Sequence, residues 1–227
     1  MAEIPLMRRV LANNDALADE QLKLLEKNRV LSINIMSGPG AGKTSLIEKT
    51  IAVLKPQYRI WVIEGDIQGD LDARRVVACG VGCTQINTQG ACHLDGMMLA
   101  RVFPDLPLGE IDLLIIENVG NLVCPAEFRL PAHYNITVVS TPEGSDKPAK
   151  YPLMFSKSDV LVVNKIDLLP YVDFNLNEFT RSVRKLKPQI PILTLSVRTG
   201  EGLENWIDWI KKALRQSGRR STKGLKG

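Results

Sequence analysis

Apolar residues recur along this chain in two rhythms. Short, nearly continuous apolar runs alternate with longer stretches in which every third or fourth position is apolar, and the two patterns predict strands and helices respectively. The strand-like runs are VLSINIM (30–36), RIWVIEG (59–65), CTQIN (83–87), IDLLIIEN (111–118), ITVVST (136–141), DVLVVNK (159–165) and PILTLS (191–196). Helical spacing appears over 9–28 (Val10, Leu11, Leu17, Leu22, Leu25), 44–54, 71–78, 93–103, 174–187 and 202–216. Strands that are apolar along most of their length are covered on both faces, which a mostly parallel sheet achieves by placing a helix after each strand. The expected fold class is therefore α/β, a doubly wound, mostly parallel sheet with helices on both faces. No internal repeat and no linker divides the chain.

The 227 residues are 44% hydrophobic, enough for one packed core with short extensions. The expected organisation is an N-terminal amphipathic helical extension over 1–29, lying on the domain or on a partner chain, then a nucleotide-binding domain over 30–214 and a basic tail over 215–227. No apolar run approaches the ~18 residues of a membrane span. The N-terminus is charged throughout and does not read as a signal peptide. A cytoplasmic protein without a membrane partner is expected. The net charge of +4 is concentrated in the tail, where Arg215, Arg219, Arg220, Lys223 and Lys226 occur without an acid; the rest of the chain sums to −1. The body is thus nearly neutral and the tail reads as a solubilising terminus, so no nucleic-acid partner is expected.

SGPGAGKT (37–44) follows the first predicted strand and precedes a helix. That is the context of the phosphate-binding loop G-x-x-x-x-G-K-[ST]. Gly38, Gly40 and Gly42, with Pro39 and Ala41 between them, let backbone N–H groups turn inward around an anion. The helix N-terminus, through Lys43, Thr44 and Ser45, adds its dipole. Lys43 can reach the β- and γ-phosphates and Thr44 can offer a hydroxyl to Mg²⁺. Ser37 departs from the glycine of the strict pattern, at a position that only has to start the turn.

NKID (164–167) ends a later strand. The Asp167 carboxylate can accept two hydrogen bonds from the N1–H and amine of guanine, a pair adenine lacks. Asn164 and Lys165 support the loop and cover the base. Ser196, Val197 and Arg198, in SVRTGEG after the next strand, form the expected auxiliary base loop. GTP is the nucleotide these residues select. IDLLIIENVG supplies Glu117 and Gly120, an E-x-x-G in place of the usual D-x-x-G. Glu117 and Asp66 are candidates for the Mg²⁺ shell alongside Thr44, and the Gly120 N–H is the candidate γ-phosphate sensor.

The four cysteines divide into two pairs. Cys79 and Cys83 have no histidine nearby and read as small core hydrophobes. Cys92, His93 and Cys124 follow the ends of two strands, which in such a sheet share one edge. Two thiolates and an imidazole suit Zn²⁺ or Ni²⁺, and two buried thiols beside a surface histidine is the plainer alternative.

INTQGACHLD (86–95), IENVGNLVCP (116–125), EGSDKPAKYPLMF (143–155) and NKIDL (164–168) together resemble the HypB family of hydrogenase maturation GTPases, over about residues 30–210. The resemblance implies a member of the dimer-forming branch of P-loop GTPases, which also holds UreG. It implies delivery of nickel to [NiFe]-hydrogenase, with a Ni²⁺ or Zn²⁺ site on Cys92, His93 and Cys124 at a homodimer interface. Further implied partners are the hydrogenase large subunit and accessory maturation proteins. Lys150 is the best match to the lysine that meets the nucleotide of the partner subunit, with Lys147 second. Asp72 matches an acid associated with GTP hydrolysis. Two features of some members are missing. The first cysteine is Cys79, so there is no N-terminal cysteine-rich nickel motif, and His93 and His133 are the only histidines, so there is no histidine-rich tract. The rival readings are a urease-type nickel-delivery GTPase, a GTP-regulated metal storage or sensing protein, and a signalling-type GTPase with incidental cysteines.

Overall fold

The computed structural model describes residues 6–67 and 69–218, so the first five residues and the basic tail beyond residue 218 lie outside the described part. The strands are β1 (Leu31–Ser37), β2 (Ile60–Asp66), β3 (Gly82–Asn87), β4 (Leu113–Glu117), β5 (Tyr134–Ser140), β6 (Val160–Asn164) and β7 (Ile192–Thr194). They form one sheet in the order β3-β2-β4-β1-β5-β6-β7, with every pairing parallel. Ile33 of central β1 lies between Ile115 of β4 and Tyr134 of β5. The helices are α1 (Leu6–Lys27), α2 (Lys43–Leu54), α3 (Leu71–Ala78), α4 (Gly96–Val102), α5 (Lys147–Lys150), α6 (Pro152–Lys157), α7 (Leu176–Leu186) and α8 (Leu203–Gln216).

Both faces of the sheet are buried, as the continuous apolar runs require. On one face Ile33, Ile35, Ile115 and Val162 pack against Leu46 and Ile47 of α2 and Trp206 and Ile210 of α8. The other face carries two clusters. Ile116 and Leu114 pack with Leu25 of α1 and Leu99 of α4, and Leu161 and Val163 pack with Phe155 of α6 and Phe179 of α7. Cys79 and Cys83 are half-buried against the first cluster, and burial pushes the Cys83 thiol up to about 11, consistent with core thiols rather than ligands.

The structure differs from the sequence reading in a few places. The helix expected over 93–103 begins at Gly96, because the Asp95 side chain accepts from the Met98 N–H at 2.7 Å and caps it there. The short helices α5 and α6 were not expected. Pro148 and Pro152 each occupy a first turn, where a missing N–H costs nothing. The helix α1 lies on its own domain. Leu25 is fully buried, Asn14 accepts from the Gly96 N–H at 2.7 Å and Gln21 donates to the Gly96 carbonyl at 2.8 Å. Leu25→Ala should lower stability by about 2–5 kcal/mol in denaturant unfolding. An unchanged midpoint would mean that α1 is not part of the cooperative unit.

Candidate functional site

Parallel strands put all their carboxyl ends on one edge, and the motif-bearing loops collect there. The phosphate loop leaves β1 at Ser37, which is fully buried. Its hydroxyl donates to the Gly38 carbonyl at 2.6 Å and accepts from Lys43 Nζ at 3.0 Å. Serine at this position therefore orients the loop lysine, which a glycine could not do. Gly40 and Gly42 have φ of +73° and +99°, the left-handed conformations that fold the loop back on itself. Gly120 packs against this loop, its α-carbon side lying so close to Pro39 that an added Cβ would sit 3.2 Å from the Pro39 Cα.

The base loops meet the phosphate loop directly. Asn164 Nδ2 donates to the Ala41 carbonyl at 2.9 Å, and Lys165 Nζ donates to the Gly40 carbonyl at 2.8 Å. Asn164 Oδ1 accepts from the Lys165 and Val197 N–H groups. Asp167 Oδ1 accepts from the Ser196 hydroxyl at 2.6 Å. A cavity of about 330 Å³ opens between Gly42, Ser45, Asn164, Lys165, Asp167 and the Ser196–Arg198 turn. All residues expected to read the base line this one space.

At the other end of the phosphate loop, Thr44 Oγ1 donates to Glu117 Oε1 at 2.7 Å. Glu117 lies opposite Glu64 in the β2–β4 register, and both are 3% exposed. Glu64 Oε2 and Glu117 Oε2 are buried without a hydrogen-bond partner. Burial, reinforced by the charge of Glu117, lifts the Glu64 carboxyl to about 8. Burial lifts Glu117 to about 7, against the pull of Lys43 and Thr44. Burial likewise lowers the Lys43 ammonium pKa. Two buried carboxyl groups with unpartnered oxygens next to a phosphate-loop threonine are a donor set that fits Mg²⁺.

Glu64 was missed from sequence; its signal was a lone acid inside the apolar run RIWVIEG. Asp66 is occupied elsewhere, since its oxygens accept from the Ile67 and Gly69 N–H groups at 2.6 and 3.0 Å. Asp72 pairs with Arg75 at 2.9 Å, and Arg75 also holds Glu48 at 2.7 Å and the Ser45 hydroxyl at 3.1 Å, which ties Asp72 to the start of α2. Lys150 is exposed and pairs with Asp146 at 2.5 Å; Lys147 pairs with the same carboxylate at 3.0 Å and also donates to the Glu143 carbonyl. The two ammoniums, Lys150 foremost, hold Asp146 down at about 2. Neither lysine's hydrogen bonds reach the phosphate loop of its own chain.

The ligand atoms of Cys92, His93 and Cys124 lie within 4.8 Å of one another, the single such His/Cys/Asp/Glu group among the described residues. The two sulfurs are 2.7 Å apart, beyond the about 2.05 Å of a disulfide, and both cysteines are free. The His93 ring stacks on Phe128 with centroids 3.8 Å apart, which fixes the imidazole plane. Burial lowers the His93 pKa and so favours the neutral, ligating form. His133 sits apart, at the other end of β1, with Nδ1 2.8 Å from the Ser32 hydroxyl. Three donors on two loops are a set that Zn²⁺ or Ni²⁺ accepts, and a tetrahedral ion would take one ligand more.

Residues 32–194 match the family described as CobW/HypB/UreG, nucleotide-binding domain. The hydrogenase maturation factor HypB of Escherichia coli K12 is 42% identical over 202 residues, covering 89% of this chain and 70% of that protein. The chain belongs to the HypB branch of the CobW/HypB/UreG family. The hydrogenase/urease maturation factor HypB of Helicobacter pylori J99 is 37% identical over 219 residues, covering 95% of this chain and 90% of that protein. The crystal structure of HypB from Helicobacter pylori in complex with nickel superposes with a TM-score of 0.85 at 37% identity, covering 92% of this chain and 98% of that one. Among the described residues no helix is long and apolar enough to cross a membrane.

Proposed function

We propose that this HypB protein is a GTP-hydrolysing nickel metallochaperone for [NiFe]-hydrogenase maturation, in which GTP-dependent dimerisation is coupled to the Cys92–His93–Cys124 site. The observation that carries the reading is a single loop. Glu117, bonded to Thr44, and Gly120, packed on Pro39, are joined within seven residues to Cys124. A γ-phosphate met by the Gly120 N–H orders that loop, and Cys124 moves with it.

Guanine enters the cavity over Asn164–Asp167, and Asp167 selects it over adenine. Lys43 and the turned N–H groups of the phosphate loop hold the phosphates. Thr44 and Glu117, with Glu64 close by, would hold Mg²⁺, which would supply charge neutralisation on the β- and γ-phosphates. Water attacks the γ-phosphorus and GTP becomes GDP and phosphate. Lys150, exposed and paired with Asp146 on the surface, reaches the partner's nucleotide in the homodimer and neutralises transition-state charge. Lys150→Ala should keep GTP bound and slow its hydrolysis by about 10-fold or more; unchanged turnover rules out this lysine in favour of Lys147. Ni²⁺ is the cargo, handed with accessory maturation proteins to the hydrogenase large subunit in the cytoplasm.

Ni²⁺ affinity and oligomeric state, measured side by side with GDP and with a non-hydrolysable GTP analogue, test the reading. Affinities and dimer fractions that differ between the two nucleotides are expected. Equal values in both would defeat the coupling. A second reading, service to urease as well, is favoured by the name of the Helicobacter pylori relative. Nickel transfer to either recipient enzyme in a mixed assay separates the two.

A further inference from the structure

The metal donors sit on two segments, the turn after β3 with Cys92 and His93 and the loop after β4 with Cys124. One buried side chain stands between them. Asn118, the residue after β4, is 1% exposed. Its Oδ1 accepts from the Leu94 N–H and from the Val119 N–H, both at 3.0 Å. Leu94 directly follows His93, and Val119 directly precedes Gly120. A single amide oxygen therefore joins the backbone of the Cys-His turn to the backbone of the γ-phosphate loop. The remaining atoms of Asn118 hold it still. Its N–H donates to the Ile35 carbonyl at 3.0 Å, and its Nδ2 donates to Asn34 Oδ1 at 3.3 Å. Asn34 Nδ2 in turn donates to Asn135 Oδ1 at 3.0 Å. The result is a ladder of amides from β5 through β1 to the residue that follows β4.

Leu94 is seated as firmly. Its side chain is fully buried and lies over Gly65 of β2, where an added Cβ would be 2.6 Å from Leu94 Cγ. Displacement of the Val119–Gly120 backbone therefore has a rigid connection to the residue next to His93. Burying an amide costs free energy unless its bonds are made, and an apolar residue would fill this space without that cost. The bonds themselves are the feature that distinguishes asparagine here.

We propose that Asn118 is the positioning residue that couples the two sites: it transmits the nucleotide-dependent position of Val119 and Gly120 to the Cys92–His93 turn, so that the donor pair shifts relative to Cys124. The inference rests on the proposed link between GTP and metal affinity. It supplies the physical element that such a link needs, one that both sites bias.

The test compares the ratio of Ni²⁺ dissociation constants with GDP and with a non-hydrolysable GTP analogue, in four proteins. The native chain should show a ratio of about fivefold or more in one direction. Asn118→Ala, or Asn118→Ser if the alanine variant does not fold, should bring the ratio to within about twofold of one while guanine-nucleotide affinity stays near native. Asn34→Ala removes the acceptor of Nδ2 and leaves both Oδ1 bonds in place, so it should lose thermal stability and keep the ratio. Asn118→Asp keeps an acceptor toward Leu94 and Val119 and should restore most of the ratio. A native ratio retained in Asn118→Ala, or lost equally in Asn34→Ala, overturns the inference alone. A ratio of one in the native chain overturns the coupling reading and this inference with it.

Discussion

Gly42→Ala should abolish tight guanine-nucleotide binding while leaving the metal centre able to bind. Gly42 has φ of +99°, and the left-handed region costs a residue with a Cβ about 1–2 kcal/mol. The larger effect is steric. The new methyl would stand 2.5 Å from Asn164 Nδ2, a separation real side chains do not reach. Asn164 is 2% exposed and cannot swing away. Its Nδ2 holds the Ala41 carbonyl, and its Oδ1 holds the Lys165 and Val197 N–H groups. One methyl thus unseats the joint between the phosphate loop, NKID and the auxiliary base loop. A loss of about 100-fold or more in affinity, some 2.8 kcal/mol at 1.4 kcal/mol per tenfold, is the expected result by calorimetry. Near-native affinity would show that the loop and base motifs are not mechanically joined. Ni²⁺ affinity measured without nucleotide should stay within about twofold of native, because no donor touches Gly42.

How much of this was legible in the sequence follows from how local each feature is. The strands announced themselves because a strand buried on both faces must be apolar throughout, and β6, VLVVN, is buried at every position. The phosphate loop was legible for the same reason, since its geometry is a property of a few adjacent glycines. The cavity beside the phosphate loop is lined by two segments, NKID and the Ser196–Arg198 turn, and each carried its own signature. The acid pair was not legible. Glu64 becomes a partner of Glu117 only through the β2–β4 register, which sets residues 53 positions apart side by side. Asp66 misled in the opposite sense: a carboxylate after a strand end looks like a cation ligand, and here it caps the N–H groups of its own turn. The helices α5 and α6, only four and six residues long, are too short to show a helical period. Asn34 and Asn118 look like ordinary interruptions of apolar runs until the sheet order puts them in hydrogen-bond reach of each other. For Cys92, His93 and Cys124 the pattern of strands gave the shared edge and the three candidate donors, and the resemblance to HypB favoured a metal site over incidental thiols.

Cys92→Ala should abolish high-affinity Ni²⁺ or Zn²⁺ binding and leave nucleotide binding intact. The chelate has three protein donors on two loops, and Cys92 is the one in contact with Cys124, their sulfurs 2.7 Å apart. Without it His93 and Cys124 remain, two donors held by different loops, and the entropic advantage of a pre-formed triad is lost. A fall of at least about 100-fold in affinity follows from removing one of three ligands, larger than the 10-fold to 100-fold cost of altering a supporting residue. Phe128→Ala, which frees the His93 ring without removing a donor, should fall in that smaller range. The pH dependence separates ligand loss from misfolding. Thiols bind metal as thiolates, so each one that ligates releases its proton. The hydrogen bond with Cys92, and then burial, raises the pKa of Cys124, so native affinity should climb steeply as pH rises from 6 toward 9. His93, held toward its neutral form, adds little to that slope. With Cys92 gone the slope should shrink, since one thiol proton fewer is displaced. Cys79→Ala and Cys83→Ala, which alter thiols packed against the first core cluster, should leave both affinity and slope as they were. Metal retained at native affinity in Cys92→Ala would return the site to a pair of incidental thiols beside a stacked histidine, and the link from GTP to nickel would have to run elsewhere.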